Sequence, residues 1–135
     1  MTSFFAVALG GAIGASARHG LGLAMLRLFG PGFPFGTLMA NVFGGLLMGL
    51  LMGWLLKAGP ENANDIRLFA GVGVLGGFTT FSAFSLDAIR MLEAKAMGQF
   101  LGYVSASVVL SIAAVALGLY PVSYTHLTLP TIHLV

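Results

Sequence analysis

The chain has no cysteine, which removes disulfides, thiolate metal sites and cysteine nucleophiles and leaves the redox state of its compartment open. Charge is nearly as scarce. Acidic and basic residues together make up 7% of the 135 positions, against about 25% in an ordinary soluble domain. No carboxylate stands in the middle of an apolar run, so the proton relay of a coupled exporter is missing. The six Lys and Arg residues are scattered and make no stripe that could track a phosphate backbone, which sets nucleic acid aside. There is no phosphate loop, no cluster of metal-ligating side chains and no hydrolase triad pattern, so an enzyme has no foothold.

What remains is apolar. Hydrophobic residues make up 58% of the chain and the mean hydropathy is +0.98, so the solvent for most of it is lipid. Twenty glycines exceed the usual share of about 7%; in membranes, small residues let helix backbones approach closely. The N-terminal MTSFFAVALGG lacks the basic stretch of a secretory signal and is expected to be a retained helix.

A membrane helix needs about 20 mainly apolar residues. Four segments meet that length, roughly Phe4 to Phe29, Pro34 to Leu56, Ile66 to Met91 and Met97 to Tyr120. The fold expected is an all-α integral membrane protein with four transmembrane helices. Gly30 to Pro34 and Ala58 to Asn64 are turn-forming breaks. Lys57 and Arg67 flank the second loop, while Arg27, Arg90 and Lys95 flank the first and third. The Lys/Arg imbalance sets orientation, and two against three is almost none, so the chain is expected to insert both ways and to pair as an antiparallel, dual-topology homodimer. Residues 1–120 are expected to form one four-helix domain. Residues 121–135, with Pro121 and Pro130 and no charge, are expected not to extend the fourth helix and are set aside as a nonnative or disordered tail.

Arg18 sits near the middle of the first span. An intramembrane arginine marks function by default; it either draws an anion into a wet cavity or satisfies carbonyls at a helix break. Asn41, with Thr37 one turn earlier on the same face, brings amide donors into the second span, for helix-to-helix bonding or for a pore. The third span carries Gly76-Gly77-Phe78-Thr79-Thr80-Phe81-Ser82-Ala83-Phe84-Ser85. This stretch is either a helix broken at its centre, whose freed carbonyls suit a monovalent cation, or a continuous helix with an aromatic face. Phe81 and Phe84, at i and i+3, share a face, and their ring edges carry the positive part of the aromatic quadrupole. Tyr103, Ser107 and Ser111 repeat at i, i+4 and i+8, as packing contacts or as a polar track. Asp87, Arg90, Glu93 and Lys95 look like an interfacial salt-bridged cap without chemistry.

The Gly-Gly-x-x-Gly-Ala-x-x-Arg run ending at Arg18, the Gly36-Thr37-Leu38-x-x-Asn41-x-x-Gly44 run and Gly76-Gly77-Phe78-Thr79-Thr80-Phe81-Ser82-x-Phe84 together resemble the CrcB/Fluc fluoride channel family over residues 1 to about 120. The tail does not resemble it. The resemblance implies a fluoride-selective passive channel of the inner (plasma) membrane, working as an antiparallel dimer with two pores. Asn41, Phe81 and Phe84 would line the fluoride path, joined by Thr37 and Ser82, with Arg18 attracting the ion and Tyr103, Ser107 and Ser111 as the polar track. It also implies a structural sodium ion at the dimer centre, held by the backbone carbonyls of Gly76 and Thr79. The rivals are a small membrane assembly subunit and a small multidrug exporter; the latter lacks its membrane-buried carboxylate here.

Overall fold

The computed structural model describes residues 2–134 and the side chains of residues 2–119. Helix α1 spans Thr2–Phe29 and ends where Gly30, at φ 76°, turns its N–H back to the Leu26 carbonyl at 2.8 Å. Helix α2, Phe35–Ala58, starts after Pro34 and stops at Gly59, whose left-handed backbone lets its N–H reach the Leu55 carbonyl at 3.0 Å. The next crossing is composite. It consists of α3 (Ala63–Ile66), a π-helical segment Arg67–Leu75, α4 (Gly76–Phe78), and α5 (Ser82–Glu93). Lys95, at φ 59°, closes α5 as the Ala96 N–H bonds the Met91 carbonyl at 2.9 Å. Helix α6 follows as Met97–Leu134. Its bounds run past Pro121 and Pro130, where a stop near Tyr120 is expected from sequence; membrane helices tolerate proline where other groups satisfy the freed backbone. Whether residues 121–135 are native falls outside the residues whose side chains are described.

The chain is all-helical among the described residues, and three helices are long and apolar enough to cross a membrane: α2, the composite Ala63–Glu93 and α6 through Leu119. Helix α1 is long enough at 28 residues, but Arg18, His19 and its glycines dilute its hydropathy. Large apolar side chains such as Phe4, Phe43, Val109 and Ile112 face outward, the arrangement expected when the surrounding solvent is itself apolar.

Glycine decides how the helices meet. Alpha-2 packs most extensively on α6, and α1 on the π segment and α4. A Cβ at Gly45 would stand 2.9 Å from the Ser111 carbonyl oxygen, and one at Gly49 would strike the Val115 carbonyl. On the other side, Cβ atoms at Gly10 and Gly14 would strike the backbone of Phe69 and Val74. Both seams therefore bring backbone against backbone, gaining dispersion contacts that a larger side chain would forbid. Leu38, Phe84, Met91 and Tyr103 form a compact core near the loop between α1 and α2, with Phe33 packed onto it.

Candidate functional site at the helix break

Between α4 and α5 the chain leaves the helix for three residues, Thr79 to Phe81, with Thr79 extended at φ −87° and ψ 159°. Of the two sequence alternatives for this stretch, the broken helix is the one observed. At membrane depth freed backbone groups need partners, and three side chains provide some of them. The Arg18 Nε donates to the Gly77 carbonyl at 3.2 Å. Asn41 grips Thr80 reciprocally: its Nδ2 donates to the Thr80 carbonyl at 2.9 Å and its Oδ1 accepts the Thr80 N–H at 2.7 Å. The Thr80 Oγ1 accepts the Ala83 N–H at 3.1 Å, capping the first turn of α5.

Not every carbonyl at the break finds a partner among the described residues, those of Gly76, Phe78 and Thr79 being the least satisfied. The Thr79 carbonyl receives no donor, and the Gly76 carbonyl only the Thr79 hydroxyl, at a long 3.5 Å. Uncharged oxygens of this kind are hard donors suited to a monovalent cation. The residues named for a sodium ion from sequence thus fit that ligand chemistry.

A groove of about 440 Å³ opens against the break. It brings together Asn41, Phe81, Phe84, Ser107 and Ser111, five of the residues proposed from sequence for an anion path. Phe81 is 77% exposed and Phe84 9% exposed, with ring centroids 5.6 Å apart and planes at 45°, and their ring edges carry the positive part of the quadrupole. The hydroxyls of Ser107 and Ser111 are buried and have no hydrogen-bond partner. Leaving such groups unmet costs about 1–3 kcal/mol each, so a ligand that accepts their protons would recover that loss. No charged side chain lines the groove among the described residues; its polar lining is Asn41, Thr79, Thr80, Ser107 and Ser111. The arrangement suits a small anion that accepts hydrogen bonds strongly.

The remaining predicted residues lie elsewhere. Arg18 is not in the groove; it serves the Gly77 carbonyl from α1. Thr37 lines a second cavity of about 250 Å³ beside the loop between α1 and α2, together with Asp87. Tyr103 is fully buried, with its hydroxyl donating to Asp87 Oδ2 at 3.1 Å and its ring 5.2 Å from that of Phe84. Phe84 lines the groove, while Tyr103, packed near it, bonds Asp87 of the second cavity. Ser82 is exposed in the first turn of α5 and does not line the groove. Asp87 is not part of a salt-bridged cap, as the sequence suggested, but the partner of Tyr103; their separation of 16 positions along the chain hid that pairing. Thr80 was also missed, though a Thr three residues ahead of a helical N–H is a capping signal.

The family model described as CrcB-like protein, Camphor Resistance (CrcB), matches residues 5–119. A protein of Caulobacter sp. (strain K31) named fluoride-specific ion channel FluC is 51% identical over 119 residues, covering 88% of this chain and 93% of its own. Proteins of the same name from Phenylobacterium zucineum (strain HLK1) and Agrobacterium fabrum (strain C58 / ATCC 33970) are 50% and 51% identical, each over 88% of this chain and 94% of their own. The residues that build the break and its groove fall within the matched stretch, and the chain belongs to the CrcB-like protein family.

Proposed function

We propose that the chain is a passive, fluoride-selective ion channel and not an enzyme, and that fluoride passes along the groove between the break and α6. The observation that carries this reading is the pair of buried, unpartnered hydroxyls of Ser107 and Ser111 on the same groove as Phe81 and Phe84. Fluoride is small and strongly hydrated, so a path must replace its water with concentrated donors; this groove supplies O–H, N–H and aromatic edges without a cation that would trap the ion. Names of relatives at about half identity point the same way. Beyond the Phe84–Tyr103 pair, Thr37 offers the next hydroxyl toward solvent. Arg18, bonded to a carbonyl at the break, contributes positive potential from behind rather than a contact.

Four crossings, including α1, placed in both orientations in the inner membrane would let two copies meet antiparallel. The groove's open side, bordered by Val108, Ile112 and Val115, is apolar enough to be closed by a second copy. In such a pair the Gly76 and Thr79 carbonyls would hold a sodium ion, whose charge would bind the two breaks together. The test is fluoride efflux from lipid vesicles, read by electrode, with and without sodium. Phe81→Ile is expected to slow efflux roughly tenfold, about the worth of one aromatic-edge interaction, and sodium removal to reduce it. Efflux that ignores Phe81 would redirect the path. Efflux indifferent to sodium would remove the ion, and none from folded protein would favour an assembly subunit.

A further inference from the structure

Thr80 is the residue on which the contacts at the break converge. Asn41 holds its N–H at 2.7 Å and its carbonyl at 2.9 Å, so both peptide planes flanking Thr80 are fixed from α2. Its hydroxyl fixes the other side, accepting the Ala83 N–H at 3.1 Å and so setting where α5 begins. Phe81 is the next residue, 77% exposed with no buried pocket to orient it. The direction in which its ring leaves the backbone is decided by the Thr80–Phe81 peptide plane and by the start of α5. Asn41, with both amide heavy atoms committed to Thr80, has one N–H left for any other partner.

We propose that Thr80 is the positioning residue of the groove: latched by Asn41 through its backbone and by its own hydroxyl to Ala83, it aims Phe81 into the anion path. The inference rests on the channel reading. It separates two jobs that a pore-lining role for Asn41 would merge. Asn41 and Thr80 hold the break, and the ion is met chiefly by hydroxyls and ring edges.

The experiment compares Thr80→Val, which keeps the branched shape and loses the acceptor, with Thr80→Ser, which keeps the hydroxyl. Fluoride and chloride efflux are measured from the same vesicles and normalised to folded protein by size exclusion. Thr80→Val is expected to slow fluoride roughly fivefold, the ratio given by loss of one helix cap, and to lower the fluoride-to-chloride ratio, while Thr80→Ser restores both. A mere loss of folded channels would leave that ratio unchanged. Full flux and ratio in Thr80→Val overturn the proposal, as does a serine variant as defective as valine. If Thr80→Val does not fold, Thr80→Ala takes its place; failure of both to fold while Thr80→Ser folds makes Thr80 a folding residue and overturns it too. Should the wild-type protein carry no fluoride, the channel reading fails and the latch is judged by hydrogen exchange at the Ala83 amide. Faster exchange in Thr80→Val but not in Thr80→Ser sustains the latch, and equal exchange refutes it.

Discussion

Substitution at Ser107 is expected to have an effect of unusual sign. Its hydroxyl is buried without a partner, so Ser107→Ala removes an unmet donor rather than a bond. Stability in detergent is expected to hold or to rise by about 1 kcal/mol, while fluoride efflux falls. A thermal-shift measurement beside an efflux assay checks both. Destabilisation together with normal flux would mean that the hydroxyl is a packing contact between helices. The residue types of the site were legible in the sequence because donors are costly in lipid and their presence is itself a signal. Their partners were not. Arg18 and Asn41 both bond backbone atoms 59 and 39 residues away, and the identity of a backbone partner leaves no trace in the side-chain pattern. Tyr103 shares a spacing with Ser107 and Ser111, yet its longer side chain carries the hydroxyl past Phe84 to Asp87.

At the scale of elements, the glycine seams set the positions of the helices and thereby the width of the groove. Gly49→Ala would drive a methyl into the α6 backbone at Val115, and Gly14→Ala one into the backbone at Val74. Neither obstacle is a flexible side chain, and overpacking of this kind costs about 1–3 kcal/mol or more. Gly98→Ala, at the start of α6, meets nothing within 4 Å and introduces a better helix former. Yield of monodisperse protein should therefore fall for the first two and hold for the third; equal yields would mean that the seams are looser than described. Element existence was well marked by apolar length and by Gly and Pro at the ends. The break was also marked, by Gly76-Gly77 ahead of Thr79-Thr80. The π-helical turn of Arg67–Leu75 was not, because Gly71 and Gly73 leave too few side chains for a period to be counted. Its wider winding places Gly73 against Gly10, where a Cβ would stand 2.9 Å from the Gly10 Cα.

For the whole molecule, the balance of Lys57 and Arg67 against Arg27, Arg90 and Lys95 gives the chain little preference for either orientation. The absence of native cysteine makes the test direct: Asn62→Cys, in the loop between α2 and α3, can be labelled from one side with a membrane-impermeant maleimide. About half the protein is expected to react in intact cells if insertion is unbiased. Complete labelling or none would establish a single topology and remove the antiparallel pair. The membrane character and the channel assignment were accessible from composition and motif order, whereas the groove's open side appeared only once α2, the break and α6 were placed together.

The most direct test of the central claim is anion conductance of the purified protein in a planar bilayer, with fluoride on one side and chloride on the other. A path of neutral donors and ring edges, too narrow for a larger ion, predicts a reversal potential near that of fluoride and negligible chloride current. Comparable currents for the two ions would contradict it.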